Sequence, residues 1–255
     1  MIKIIATLLI PLFAIPSFLD YTPQKAPSYT RPELFDPSLS RLNSVATLEQ
    51  YADSLSRVRH IQVGTLPYGL VVANILRNRF YHGFSTYSLR ENWIASLSQT
   101  LLGHGLGNPV IADDILKYPY AGCSQQAIVL MKVMKDKGVP YRSVGFPHHY
   151  ATELYFNSNW YYFDPDMEPT ISPRQRMEKN WKDSADYIKK YYRIGASTID
   201  WALGNHLPAQ LGAVNANPAP RAQLFQEVTK YLSKILWILP FVFLMGFYLR
   251  GKPSR

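Results

Sequence analysis

The sequence holds a single cysteine, Cys123, so no disulfide can close within the chain. It has no internal repeat and no low-complexity tract, which excludes a solenoid or a fibrous array. Histidines are not clustered at ligand spacing. His60, His82, His104 and His206 are scattered, and the His148-His149 pair alone does not make a metal site, so neither metal nor cofactor is expected. Acids are scarce, 18 against 27 lysines and arginines, for a formal charge of +9. Six of those basic residues stand at the ends (Lys3, Lys230, Lys234, Arg250, Lys252, Arg255), and Asp20 is the only acid outside 21–229. The middle keeps 21 basic against 17 acidic residues, an ordinary solvated surface, and nucleic-acid binding is not expected.

What is present points to a folded domain. Eighteen tyrosines, 12 phenylalanines and 5 tryptophans exclude a disordered chain, and an apolar content of 47% over 255 residues suffices for one core with appended segments. Two of those segments are terminal. Ile4 to Leu19 is an almost unbroken apolar run between Lys3 and Asp20, which reads as a signal peptide or an uncleaved signal anchor over residues 1–20. Tyr231 to Leu249 is a second run, with Trp237 and Tyr248 towards its ends and Arg250, Lys252 and Arg255 behind it. It is expected to span a membrane, with Pro240 as a kink and the tail 250–255 cytoplasmic. On that topology the domain between them lies on the extracytoplasmic side.

Prolines 23, 27, 32 and 37 predict an extended linker over 21–43, and the Pro, Ala and Asn content around 205–220 predicts a second, taken as 205–230. Between them, residues 44–204 read as one α+β domain whose N-terminal half is largely helical. Ser44 caps an apolar stripe of Val45, Leu48, Ala52 and Leu55, Leu70 to Phe80 is a second helix, and Ser88 with Glu91 forms a capping box for a third. A helix from Ser124 to Lys137 stops at Gly138 and Pro140. Strands are expected at Tyr141–Phe146, His149–Phe156 and Trp160–Phe163, and a further helix over 173–194.

The chemistry lies in 122–165. Cys123 sits where a helix begins, a place where unpaired backbone N–H groups and the helix dipole favour the thiolate, the nucleophilic form of the side chain. Taken alone, a lone cysteine is more often buried filler. His149 follows at the start of a strand and Asp164 at the end of the next, as base and orienting carboxylate. His148 and Asp166 are their neighbouring rivals. Strand alternation adds a condition. A turn at Ser158-Asn159 sets Asp164 opposite Glu153, far along the strand, whereas a four-residue turn over 155–158 sets it opposite His149. The proposal calls for the second register, or for a bulge with the same effect.

Gly122-Cys123-Ser124-Gln125-Gln126-Ala127 resembles the cysteine motif of the transglutaminase-like superfamily. Gly138-Val139-Pro140-Tyr141-Arg142 resembles the segment after that family's cysteine helix. His149 with Glu153 resembles its histidine strand, and Trp160 followed by Asp164-Pro165 resembles its W-x-x-x-D-P ending. Ala151 departs from the family's usual aromatic. The resemblance implies a papain-like core in which a helix bearing Cys123 packs on an antiparallel sheet. It also implies acyl transfer through a thioester, with Cys123 as nucleophile, His149 as base and Asp164 as orienting acid. The Cys123 N–H would serve the oxyanion hole, with Trp93 as a candidate second donor. The expected function is that of a membrane-anchored, extracytoplasmic cysteine protease or transamidase acting on protein or peptide amides. The competing readings are a catalytically inactive binding module in a membrane complex and a cell-wall peptide hydrolase.

Overall fold

A computed structural model describes residues 2–23, 35–206 and 208–250. In chain order its elements begin with α1 (Ile2–Ala14), followed by a 3₁₀ turn at Ile15–Phe18 and another at Pro37–Arg41. Next come α2 (Val45–Val58), α3 (Leu66–Arg79), β1 (Tyr81–His82), α4 (Leu89–Leu102), α5 (Ala112–Ile115), β2 (Tyr120–Ala121) and α6 (Cys123–Asp136). The remainder is β3 (Tyr141–Gly145), β4 (Tyr150–Phe156), β5 (Asn159–Phe163), α7 (Asp186–Lys189), α8 (Ala196–Leu203), β6 (Gln210–Leu211), α9 (Pro220–Ile235) and α10 (Ile238–Arg250). The class is α+β.

The chain divides into two compact units. One comprises Pro27–Ser85 with Val110–Pro218; the other comprises Met1–Ala26, Thr86–Pro109 and Ala219–Arg255. The capping-box helix α4 therefore belongs to the unit of the two ends and not to the body of the expected 44–204 domain. Its box is as read: Ser88 N–H donates to Glu91 Oε2 at 2.9 Å and Glu91 N–H returns to Ser88 Oγ at 3.3 Å.

In the larger unit an antiparallel sheet runs in the order β5-β4-β3-β6. Leu154, Phe156, Tyr161 and Phe163 form one core with Val72 and Leu76 of α3 and with Ala127, Leu130, Val133 and Met134 of α6. Val144, Ala151 and Tyr162 form a second core with Trp181, Ile188, Tyr192, Ile199 and Leu203. The sheet is thus buried on both faces, and this is why β4 shows little polar alternation. The stretch 173–194, expected to be one helix, is instead two short 3₁₀ turns and the single turn of α7, and it delivers Trp181, Ile188 and Tyr192 to the sheet. The Cys123 helix ends as read: Gly138 takes φ +72°, a left-handed conformation that glycine adopts without penalty.

In the unit of the ends, α4 and the residues just before it meet α9 through polar contacts. Asn92 Nδ2 donates to Thr229 Oγ1 at 3.0 Å, Tyr87 Oη donates to Gln226 Oε1 at 3.3 Å, and Trp93 Nε1 donates to the Ser233 carbonyl at 2.9 Å. Part of the expected linker 205–230 is therefore structured. Gln210–Leu211 pairs with β3, and Pro220, preorganised for a first helical turn, opens α9. Within the linker 21–43, residues 24–34 lie outside the described residues, as do tail residues 251–255, while Pro37–Arg41 is a 3₁₀ turn.

The expected single span 231–249 is corrected. Tyr231–Ile235 completes α9, the chain turns at 236–237, and α10 starts at Ile238. Proline 240 accounts for the break. It has no N–H to give the Leu236 carbonyl, and its ring crowds that carbonyl. Among the described residues no single helix is long and apolar enough to cross a membrane; Pro220–Ile235 with Ile238–Leu249 meets the length and composition only as a pair bent by 40°.

Candidate active site

The structure brings together the three residues singled out from the sequence. Cys123 is the first residue of α6, where its backbone N–H has no partner within the helix. Gln125 fixes this helix start. Its Oε1 accepts from Gly122 N–H at 3.1 Å and from Ser85 N–H at 3.0 Å, holding the loop after β1 against the turn before the cysteine. The Phe84 ring lies over Gly122 so closely that a Cβ there would meet it at 2.7 Å, and any side chain at this position would have to displace the half-exposed ring. Cys123 is 9% exposed.

His149 stands one residue before β4, held by its carbonyl, which accepts from Phe146 N–H at 2.9 Å. Its Nε2 lies 2.7 Å from Asp164 Oδ2. The Cys123 thiol is near enough to act on the imidazole, so thiol, imidazole and carboxylate converge. Burial alone would lower the His149 pKa, but the Asp164 carboxylate and the Cys123 sulfur outweigh it and hold the imidazole well above the ordinary histidine value. The imidazolium is thereby favoured. Asp164 is fully buried, which by itself raises a carboxyl pKa, but the His149 charge and hydrogen bonds from His149, Met167 N–H and Tyr192 Oη keep it lowered.

Asp164 is a hub. Oδ2 also accepts from Tyr192 Oη at 2.7 Å, and Oδ1 accepts from the N–H groups of Asp166 and Met167 at 3.2 and 3.0 Å. Tyr192 Oη and Tyr162 Oη meet at 2.7 Å behind it. A buried carboxylate with this many donors is satisfied and fixed in orientation.

The register reaching this arrangement is neither of the two weighed from sequence. The turn is Asn157-Ser158, both in left-handed conformation (φ 45° and 62°), and Phe156 pairs with Asn159 and Thr152 with Phe163. Asp164 therefore falls in line with Ala151, two residues from His149 and on the same side of the strand alternation. A diagonal pair at that offset is within reach of long side chains.

The neighbouring rivals separate. His148 is exposed and stacks on Trp201, rings 4.4 Å apart and 4° from parallel. Asp166 pairs not with His149 but with His82, Oδ1 to Nδ1 at 2.8 Å. That second histidine–aspartate pair was missed from sequence. Its only signal is that Asp166 is two residues from Asp164, because the partner comes from a two-residue strand far upstream. Trp93, the candidate second oxyanion donor, gives its indole N–H to the Ser233 carbonyl instead. Glu153 does not face the relay; it forms a buried ion pair with Arg142, Nη2 to Oε2 at 2.6 Å, and Arg142 lies over the Trp160 ring. Among the described residues no group of three or more His, Cys, Asp or Glu is placed to hold a metal ion.

Comparison of the chain with family models, with curated proteins and with solved structures finds no match.

Proposed function

We propose that this chain is a transglutaminase-like cysteine enzyme, a protease or transamidase that acts on protein or peptide amides through a thioester. The observation that carries this reading is the buried His149–Asp164 pair, whose imidazole feels the thiol at a helix start. Filler cysteines have no need of an imidazole with a carboxylate fixed behind it. The four sequence segments resembling the family fall on the elements the resemblance requires: a cysteine helix, the strand after it, a histidine at the head of the next strand and an aspartate past the third.

The chemistry follows from the geometry. The thiolate attacks the amide carbonyl, and the Cys123 N–H, at a helix N-terminus, stabilises the oxyanion. The His149 imidazolium gives its proton to the nitrogen as the C–N bond breaks, and the amine leaves with a thioester on Cys123. Water or an amine then attacks that carbonyl and expels the thiolate. Asp164 keeps Nε2–H engaged, so that Nδ1 is the nitrogen turned to sulfur.

The reading includes attachment to a membrane with the Cys123 unit on the extracytoplasmic side. Its support lies in the unit of the ends. There α1 packs against α10, and Ile4, Leu8, Leu12, Leu239, Val242 and Phe247 remain exposed. Such a density of uncovered apolar side chains is costly in water and favourable in lipid.

The test is activity-based labelling of membranes carrying the wild type or Cys123→Ala, with parallel comparison of the membrane proteome. A probe adduct on Cys123, together with substrates whose processing stops in the variant, is expected. A wild-type thiol that the probe does not modify faster than it modifies denatured protein contradicts the reading.

A further inference from the structure

Helix α9 carries its polarity the wrong way round for a helix in water. At the surface of a soluble domain a helix turns its apolar stripe inward and its polar residues outward. The buried residues of α9 are Gln226, Thr229 and Ser233, while Leu224, Val228, Tyr231, Leu232 and Ile235 are exposed. Gln226 and Ser233 are 0% exposed, against 63% for Leu224 and 73% for Tyr231. Successive helical residues step by ~100°, so Leu224, Val228, Tyr231 and Ile235 fall within an arc of ~60°, opposite the three buried polar residues. The contrast is between two faces and not a scatter of single exposed side chains.

The polar face is tied down inside the unit of the ends. Gln226 Nε2 donates to the Asn108 carbonyl at 2.7 Å, and Asn92 Nδ2 donates to the Gln226 carbonyl at 3.3 Å as well as to Thr229 Oγ1. The Ser233 carbonyl accepts from Ser17 Oγ at 2.7 Å and from Trp93 Nε1. These partners come from α4, from the chain after it and from the turn that follows α1. Rolling the apolar stripe inward would leave those buried hydrogen-bonding groups unpaired.

Two features say what covers the outer face. Ile235 ends the stripe and Ile238, also exposed, opens α10, where Leu239, Val242, Phe247 and Tyr248 are exposed in turn. At ~100° per residue those positions fall on every side of α10. A second copy of the chain would cover one side of such a helix, whereas lipid surrounds it. On α9, Glu227, Lys230 and Lys234 line one border of the stripe and Arg221 stands in the first turn. Long lysine and arginine side chains reach from an apolar layer to its polar boundary.

We propose that the outer face of α9, from Leu224 to Ile235, lies in the apolar layer of a lipid bilayer. The inference rests on the membrane-attachment reading above and extends it to a second surface. The membrane contact begins at Leu224, in the stretch that reads in the sequence as linker, and not at Tyr231. The polar back of α9, with α4 on it, is turned into the unit.

The experiment uses the full-length protein in vesicles of phosphatidylcholine and phosphatidylglycerol. Cys123→Ala removes the native thiol, and Leu224→Cys, Val228→Cys and Ile235→Cys each take a nitroxide label, with Val242→Cys as the reference on α10. Power saturation compares collisions with oxygen, which concentrates in lipid, and with a nickel chelate, which stays in water. The labels on α9 are expected to meet oxygen severalfold more than the chelate. Labels that favour the chelate there, while the Val242 position favours oxygen, overturn the proposal and leave the membrane anchor standing. Labels that neither reagent reaches, broadened by a nearby spin, also overturn it and give the face to a second copy. A chelate-favouring label at Val242 as well brings down the membrane-attachment reading and the proposal together. If the labelled chains do not fold, the wild-type chain supplies a second reading. A lipid-soluble diazirine photolysed in the same vesicles is expected to mark Leu224 and Val228, and marking confined to α1 and α10 overturns the proposal.

Discussion

His149 Nε2 and Asp164 Oδ2 meet at 2.7 Å although the strand ladder sets Asp164 in line with Ala151. The two residues lie just outside the ladder, His149 before β4 and Asp164 after β5, and the contact is made diagonally at the open end of a hairpin. Asp164→Asn keeps the shape but offers an amide where a carboxylate balances the imidazolium. Turnover is expected to fall by roughly 10⁴-fold, the scale found when the orienting carboxylate of such a relay becomes an amide. The sign of the pH effect is fixed by the raised His149 pKa: the active thiolate–imidazolium pair persists above the ordinary histidine value and is lost as pH rises through the folded pKa. In Asp164→Asn the alkaline limb of kcat/KM shifts to lower pH. An unmoved limb contradicts the assignment.

Tyr192 tests the support behind the carboxylate. Its hydroxyl contacts both Asp164 Oδ2 and Tyr162 Oη at 2.7 Å. Tyr192→Phe is expected to lower stability by about 1.5–3 kcal/mol, the scale of a buried hydrogen bond to a charged acceptor. Urea unfolding measures this, and an unchanged midpoint would show that the hydroxyl is not part of the hub.

Glu153 makes a separate prediction for the sheet. Burial pushes its carboxyl up to about 7 in spite of the Arg142 guanidinium, and its Oε1 has no hydrogen-bond partner among the described residues. A folded-state pKa above the unfolded one stabilises at low pH, and that contribution is lost as pH rises from about 4.5 to about 7. Glu153→Gln removes the titrating group, so the fall in melting temperature between pH 5 and 7 is expected to flatten. An equally steep fall in the variant would assign that dependence elsewhere.

Membrane topology is tested with a reporter fused near Pro218, between β6 and α9. The extracytoplasmic reading requires an exported phenotype there. Cytoplasmic behaviour of the reporter would reverse the orientation of the domain.

The relay was legible because its residues sit at helix and strand boundaries with clear local signals: Gly122 before Cys123, Gly138 and Pro140 after the helix, and polar Asn-Ser-Asn between the last two strands. The turn was misplaced by one residue. Asn157 and Ser158 both adopt positive φ, a geometry usually announced by Asn-Gly or Asp-Gly, and serine at the second position hides it. His82–Asp166 was illegible because it depends on a parallel pairing only two residues long. Helix α9 reads in the sequence partly as linker and partly as membrane span, since its buried face is made of Gln226, Thr229 and Ser233, polar residues that carry no apolar periodicity.

The most direct measurement is the rate at which iodoacetamide alkylates Cys123 in the folded protein at neutral pH. A thiolate paired with His149 predicts a rate well above that of a free model thiol, collapsing in His149→Ala while the fold persists. A rate no greater than the model thiol's, indifferent to His149, would contradict the account.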